Sequence, residues 1–247
     1  MAGGPAGDPV FPVVVKDATF APLDTPAYYV VAANGLFLER QTPLFSATVP
    51  VDGGVPGLME HEAALVLRVP RVPRALLERS VGFFRAVYER WEGEAILVMF
   101  YAPALGRFAL RAPPQRITGR LEYGRFRADL CLDYGACEKP GPEYLKLGTF
   151  HSHGRAGPAH SSIDMHDELY EAGLHITAGY IDSTVPEFAA AFVVGRTRFR
   201  LSPDDVLPRF RTAQRPPQSW MRQITVTCQQ WGGGWCRGNG DDNGAAR

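Results

Sequence analysis

The first 72 residues carry short hydrophobic runs that prolines and glycines separate. β-Branched and aromatic residues are common in these runs, and the Asn34-Gly35 dipeptide is typical of a hairpin turn. The pattern predicts strands over Ala27–Ala33, Leu36–Glu39, Phe45–Val51 and Ala63–Val69. We therefore expect a small β-rich module over residues 1–72, in which no motif indicates chemistry.

The spacing of the apolar residues changes to a helical period after Pro73. The apolar positions that share one helix face are Leu76, Leu77, Val81, Phe84, Val87, Tyr88 and Trp91. They predict an amphipathic helix over Arg74–Trp91, and Gly93 is expected to end it. The nearly continuous apolar run Ala95–Tyr101 follows, and such a run is typical of a buried strand.

The chain then alternates predicted strands and loops, with one further helix. Apolar and polar residues predict strands over Phe108–Ala112, Gly119–Tyr123, Arg127–Leu132, Tyr144–Phe150, His175–Ile181, Phe188–Val194 and Arg196–Leu201. A helix is predicted over Ser162–Gly173, because Ser161 or Ser162 can cap it and acidic residues lie near its start. Residues 73–203 therefore form a predicted α/β domain. The Pro- and Gly-rich residues 204–247 are predicted to be a weakly ordered tail.

The composition narrows the classes of function. The 247 residues include 26 Lys+Arg and 26 Asp+Glu, so the formal net charge is zero. A neutral chain has no overall basic field, which argues against nucleic acid or an anionic membrane as the partner. Ala95–Ala104, the longest apolar run, is too short to span a bilayer, and Met1–Pro9 lacks the features of a signal peptide. We expect a cytoplasmic protein.

The four cysteines do not follow a zinc-ribbon pattern. Cys131, Cys137, Cys228 and Cys236 form no C-x-x-C pair, and in a reducing compartment the expectation is free thiols. Cys131 lies in an apolar run and is predicted to be a small core residue.

Five of the six histidines fall between residues 151 and 175, and the sixth, His61, has no partner evident from the sequence. His151 and His153 are two residues apart at the end of a predicted strand, so both side chains face one side about 6–7 Å apart. Two imidazoles placed in this way can bind one metal ion, and Asp164 at the start of the next helix can supply a third ligand. A lone His-x-His is a weak signal; the residues around this one strengthen it.

The order His151-Ser152-His153, seven residues, Ser161, two residues, Asp164 resembles the signature of the JAMM (JAB/MPN+) metalloproteases. In that family an upstream Glu at the start of an apolar strand, directly after the first helix of the domain, completes the site. Glu94 occupies this place. The resemblance covers about residues 74–201 and implies an α/β fold of the JAB/MPN, cytidine-deaminase-like type, in which helices flank a central mixed sheet.

The resemblance also implies a role for each residue. His151, His153 and Asp164 would hold one Zn²⁺ per chain. Glu94 would act as the general base and then the general acid, and Ser161 would hydrogen-bond the developing oxyanion or the attacking water.

Alternatives remain open for several of these positions. Glu92 is the rival of Glu94, although a solvated carboxylate is the simpler interpretation of a residue at a helix end. Ser161 is equally suited to be a helix N-cap. His160 and His166 lie outside the signature, and His175 at the start of a strand is predicted to be a hydrogen-bonded structural histidine.

One position departs from the family pattern. Many members have Pro directly after the second His, where this chain has Gly154. With two glycines and a proline, the loop Gly154–Ala159 is predicted to be a more mobile rim.

The N-terminal segments resemble a narrower group, the bacterial JAB proteins called PRTRC system protein A. These segments are Phe11–Val14, Phe20–Leu23 and Ala33–Glu39. Similar JAB proteins are encoded beside E1-like, E2-like and ubiquitin-like proteins, so the resemblance implies a ubiquitin-like protein or its conjugates as substrate, with E1-like and E2-like proteins as partners. A zinc hydrolase of small amide conjugates and a metal-free MPN-type scaffold are the alternatives.

Overall fold

The computed structural model describes residues 11–51, 60–129, 133–159, 168–169, 171–229 and 235–237. The chain divides into two compact units, one of Met1–Val69 with Val194–Thr197 and one of Pro70–Val193 with Arg198–Arg247. The division after residue 69 lies close to the module boundary predicted after residue 72. None of the helices in the described ranges has the length and apolarity that crossing a membrane requires.

The first unit contains a five-stranded sheet in which the strands follow sequence order. Its strands are β1 (Val13–Val15), β2 (Ala27–Ala32), β3 (Gly35–Gln41), β4 (Phe45–Val51) and β5 (Ala64–Leu67). The β1–β2 pair is parallel, and the others are antiparallel. The strands predicted from the sequence are thus present, and Tyr28, Val30, Ala32 and Phe37 pack into a core cluster.

His61 has partners within this unit. Its Nε2 lies 2.7 Å from Glu39 Oε1, and Lys16 Nζ contacts its Nδ1. An ammonium group can only donate, so Nδ1 accepts and Nε2–H donates to the carboxylate. The Thr48 hydroxyl also donates to Glu39 at 2.8 Å. This polar cluster joins residues that are far apart in sequence, Lys16 and His61 among them, which is why the local pattern did not reveal it.

The second unit begins with helix α1 (Arg74–Trp91), whose bounds are those predicted. The helix ends at Glu92, which adopts the left-handed conformation at φ 53° and donates its N–H to Tyr88 O. Gly was the expected residue for such a position, but Gly93 lies one residue later. A Cβ on Gly93 would meet the Ile117 side chain at 2.8 Å, so this glycine permits close packing instead.

The strands of the second unit form two sheets. They are β6 (Ile96–Ala102), β7 (Arg107–Arg111), β8 (Gln115–Glu122), β9 (Arg125–Ala128), β10 (Asp133–Tyr134), β11 (Leu145–Ser152), β12 (Gly173–Gly179), β13 (Glu187–Val194), β14 (Thr197–Leu201), β15 (Ile224–Gln229) and β16 (Trp235–Arg237). One sheet has the order β14-β13-β12-β11-β6-β7, and the other has the order β10-β8-β15-β16 with β9 paired to β8. The protein is therefore of the mixed α/β class.

The six-stranded sheet is mixed, because β11 runs parallel to β12 and antiparallel to β6. All residues of β6 and β12 are buried, which explains why β6 reads as a continuous apolar run. Helix α1 covers one face, where Phe84 packs edge to face on Phe150 of β11 with centroids 5.1 Å apart. The central strands and α1 thus form the core that carries the end of β11.

The region from Asp204, for which the sequence predicted a weakly ordered tail, contains helices and strands up to residue 229 and again at residues 235–237. Short helices α2 (Pro203–Val206) and α3 (Gln218–Met221) precede β15. Trp220 is buried against Phe83 of α1, and Gln214 donates from its backbone N–H to Glu78 O at 3.0 Å. The Pro and Gly content hid the Ile-Thr-Val-Thr alternation of β15, which pairs in parallel with β8.

The helix predicted over Ser162–Gly173 lies mainly outside the described residues. Glu168 has a helical conformation, and Gly173 is the first residue of β12. Cys131 also lies outside the described residues.

Substituting Gly148 should destabilise the second unit, because a side chain at this position would overlap the backbone of Leu174 in β12. A Cβ there would lie 1.9 Å from Leu174 O, and the φ of +154° is one that other residues rarely adopt. We expect Gly148→Ala to lower the free energy of unfolding by about 3 kcal/mol. Urea denaturation followed by circular dichroism measures the loss.

Gly106 provides the matched control. Its φ is +60°, but a Cβ there meets no atom within 4 Å, so Gly106→Ala should cost only about 1 kcal/mol. If the two variants lost equal free energy of unfolding, the positive φ of Gly148, and not the contact between β11 and β12, would explain why glycine is needed at this position.

Candidate active site

The two signature histidines lie at the end of the central strand. His151 is the penultimate residue of β11, where it is opposite Ile96 of β6 and Thr177 of β12. His153 follows the strand, and its N–H donates to Ala178 O at 2.9 Å. Both side chains are shielded from solvent, with exposed fractions of 3% for His151 and 8% for His153.

The imidazole rings converge on one point. The Nε2 atoms of His151 and His153 are 3.1 Å apart. Two nitrogens bound to a tetrahedral ion at the usual Zn–N distance would be about 3.4 Å apart. The pair therefore fits the placement that a shared zinc ion requires.

A backbone contact fixes the tautomer of His153. Its Nδ1 lies 3.1 Å from Gly157 O, and a carbonyl oxygen can only accept, so Nδ1 carries the proton. Nε2 then presents a lone pair toward His151. A metal-binding histidine commonly has such a second contact, which sets the ring orientation and the basicity of the ligating nitrogen.

Thr177 is a polar neighbour that the sequence did not single out. Its hydroxyl oxygen lies 3.4 Å from His151 Nε2, and its side chain is fully buried. The parallel register places Thr177 directly beside His151. Nothing in the sequence predicts this contact, because twenty residues separate the two strands and their pairing is not a local property.

Gly154 is required by the backbone that follows His153. Its φ is +53°, and a Cβ would meet the Tyr88 ring at 2.9 Å. Proline, which many JAMM members have here, is locked near φ −65°, so it could not adopt this conformation. The departure from the family pattern thus has a local physical reason.

The loop after Gly154 is fastened by backbone hydrogen bonds. Ile181 N–H donates to Gly154 O at 2.8 Å, Tyr180 N–H donates to Ala156 O at 2.9 Å, and Ala156 N–H donates to His153 O at 2.9 Å. The sequence predicted a more mobile rim here. The bonds fix the path of this loop over residues 154–156, and its greater mobility stays a prediction.

Glu94 directly precedes the residue at which the pairing of β6 with β11 begins. Ser152 N–H donates to Ala95 O at 3.0 Å, and Ala95 N–H donates to Ser152 Oγ at 3.2 Å. These bonds extend the β6–β11 pairing by one residue, to Ala95 and Ser152, and Glu94 is the residue directly before Ala95. Glu94 is half-buried.

Glu92, the rival, lies in a different environment. Its side chain is 49% exposed, and its carboxylate is 2.9 Å from Arg127 Nη1. It also occupies the left-handed position that ends α1. These contacts agree with the simpler interpretation of Glu92 as a solvated carboxylate at a helix end.

Gln115 holds the start of β6 in place. Its side-chain amide accepts from Ile96 N–H at 2.9 Å and donates to Ile96 O at 3.0 Å, and it is buried. An amide that mimics a backbone partner satisfies the strand edge next to Glu94. Sequence reasoning missed this role, because Gln115 lies between the predicted strands Phe108–Ala112 and Gly119–Tyr123 and is in fact the first residue of β8.

The remaining signature residues, Ser161 and Asp164, lie outside the described residues, as do His160 and His166. Within the described ranges, no group of three His, Cys, Asp or Glu side chains could hold a metal ion. The described part of the site therefore supplies two converging nitrogen donors.

His175 belongs to a buried polar network next to the site. Its Nε2 lies 3.1 Å from Glu171 O, and its Nδ1 lies 2.9 Å from the hydroxyl of Thr149. Glu168 lies 3.6 Å from the same ring and forms an ion pair with Arg198. These contacts give His175 the structural role that the sequence predicted.

A polar cleft of about 580 Å³ adjoins the loop that carries Gly154. Its lining includes Arg85, Tyr88, Arg155 and Asp182. Burial raises the pKa of the Tyr88 hydroxyl, so this group stays protonated at neutral pH. Arg155 is paired with Asp182 at 3.0 Å. The cleft thus presents charges of both signs.

Comparison with known proteins adds no family assignment: no protein-family model, curated protein or solved structure matches this chain.

Removing Arg198 should destabilise the second unit strongly. The side chains of Glu168 and Arg198 are only 7% and 16% exposed, so Arg198→Met would leave a buried carboxylate without its cation. We expect a loss of about 3–5 kcal/mol in the free energy of unfolding. The double variant Glu168→Gln/Arg198→Met removes both charges and should recover most of the loss in urea denaturation. A double variant no more stable than Arg198→Met would contradict the charge argument.

Proposed function

We propose that the chain is a zinc-dependent peptidase of the JAMM type, with a JAB/MPN fold in residues 73–203. The observation that carries the proposal is the convergence of His151 Nε2 and His153 Nε2 at 3.1 Å. The signature spacing that continues through Ser161 to Asp164 supports it. The zinc ligands in this proposal are His151, His153 and Asp164.

A bound zinc ion would polarise the scissile carbonyl and acidify the attacking water. The chain's own residues would prepare the site for this. The Gly157 carbonyl keeps the proton of His153 on Nδ1, which leaves Nε2 as a donor. Burial of both rings excludes bulk water and strengthens the electrostatic interactions at the site.

Glu94 would carry the proton between water and product. Its carboxylate accepts a proton as the water oxygen attacks the carbonyl carbon, and it delivers that proton to the departing amine nitrogen. The amide C–N bond breaks, and a carboxylate and an amine result. Ser161 would donate a hydrogen bond to the carbonyl oxygen as negative charge develops there.

The proposed substrate is the amide or isopeptide bond at the C-terminus of a ubiquitin-like protein. The resemblance of the N-terminal segments to JAB proteins encoded beside ubiquitin-like proteins supports this choice. Trimming of a precursor and release from a conjugate require the same chemistry at the zinc.

Metal binding should depend on the paired histidines. We expect about one zinc per chain in the purified protein, and a large loss of zinc in His153→Asn, because one of the two converging nitrogens is removed. Inductively coupled plasma mass spectrometry measures the ratio. His61→Asn, which changes a histidine of the first unit, should retain the metal. Wild-type protein that takes up no zinc after dialysis against zinc buffer would contradict the proposed mechanism and favour a scaffold.

Catalysis should depend on Glu94 but not on Glu92. Glu94→Gln should reduce cleavage of a ubiquitin-like fusion at least about 100-fold, since it removes the proton carrier, while zinc content stays unchanged. Glu92→Gln is the matched control and should retain activity, because its carboxylate contacts Arg127 on the surface. Cleavage is followed by gel and mass spectrometry.

The outcomes separate the alternatives. Equal loss of activity in the two variants would contradict the assignment of Glu94. Zinc-loaded wild type that cleaves no ubiquitin-like fusion but hydrolyses a small amide conjugate would replace the peptidase proposal with the small-substrate alternative.

A further inference from the structure

Two cysteines occupy opposed positions in the C-terminal strand pair. β15 and β16 are antiparallel, and their register pairs Cys228 with Cys236. The neighbouring pairs, Thr227 with Arg237 and Gln229 with Trp235, keep the same register. Cys228 is half-buried. The two cysteines are separated by a Gly-rich connection in sequence, and the ladder brings them to adjacent backbone positions.

The spacing of an antiparallel ladder suits a disulfide. Directly opposed residues have Cα atoms about 4.5 or 5.5 Å apart, depending on whether the pair is hydrogen-bonded. Disulfides join residues whose Cα atoms are about 4.4–6.8 Å apart. Both kinds of opposed pair therefore fall within the range.

We propose that Cys228 and Cys236 form a reversible redox site whose oxidant is a small-molecule disulfide such as oxidised glutathione. One thiolate attacks a sulfur of the oxidant and releases one molecule of the reduced small thiol. The second thiolate then displaces the other half from the mixed disulfide. Two protein thiols are oxidised to one disulfide, and one small-molecule disulfide is reduced to two thiols.

The position of the pair gives the bond a structural consequence. β15 pairs with β8 from Ile224 opposite Gln115 to Gln229 opposite Arg120. Gln115 in turn holds the start of β6 beside Glu94. A disulfide would join β16 covalently to β15, the strand that pairs with β8.

Cys137 is the comparison thiol. It lies after β10, it is half-buried, and it is in no strand pair with another cysteine among the described residues. Burial raises the pKa of its thiol, which lowers the fraction of reactive thiolate at neutral pH. Cys137 is therefore the suitable control position for chemical oxidation.

The test is a count of reactive thiols in the folded, full-length chain. The protein is equilibrated with glutathione redox buffer, alkylated under denaturing conditions and mapped by peptide mass spectrometry. Fully reduced protein should take four alkyl groups, one for each cysteine. Oxidised protein should take two and should yield a peptide pair linked through Cys228 and Cys236, about 2 Da lighter for the two hydrogens lost.

Cysteine-to-serine variants show whether the disulfide is specific to Cys228 and Cys236 or whether any thiol of the protein reacts in the same way. Cys137→Ser should form the same linked peptides at the same redox ratio. Cys228→Ser and Cys236→Ser should each stop at a mixed disulfide with glutathione. In urea the ladder is lost, so the ratio of internal disulfide to dithiol should fall at least about tenfold at the same redox ratio.

Three results would overturn the proposal. One is that all four cysteines of the native protein are still alkylated after it has been equilibrated with oxidising glutathione buffer. Another is a linkage of Cys228 or Cys236 to Cys131 or Cys137. The last is an internal disulfide that forms as readily in urea as in the native state.

Discussion

The position of β11 between two strands of opposite direction is the constraint on which the rest of the structure depends. Its backbone is paired with β6 on one side and β12 on the other, and the absence of a side chain at Gly148 leaves room for the backbone of Leu174. A slip by one residue would turn every side chain of β11 to the opposite face. The pairing therefore decides that His151 faces Thr177 and that His153 leaves the strand beside Ala178.

The sequence predicted what depends on local pattern. Helix α1 has the predicted bounds, because its apolar stripe continues without interruption from Leu76 to Trp91. The buried strand β6 was evident from its apolar run. Strand β15 was not, because its short Thr/Val alternation lies between Pro- and Gly-rich segments and forms only through pairing with β8, about a hundred residues earlier.

The same distinction applies to the candidate site. The two-residue spacing of His151 and His153 predicts convergence on one side of a strand, and the rings do converge. The contacts of Thr177, Gly157 and Gln115 depend on strand order or on the path of a loop, so no local spacing predicts them. The roles of Ser161, Asp164 and Glu94 in catalysis rest on the resemblance to the JAMM family.

The conformation of Gly154 restricts how this loop can change in evolution. The residue has a positive φ and lies under the Tyr88 ring. A side chain at position 154 would need a smaller residue at position 88, and proline there would need a different backbone path as well. Substitutions at the two positions should therefore be correlated among relatives. Relatives that share both Gly at position 154 and a large ring at position 88 would then be the ones in which this loop has the same backbone path.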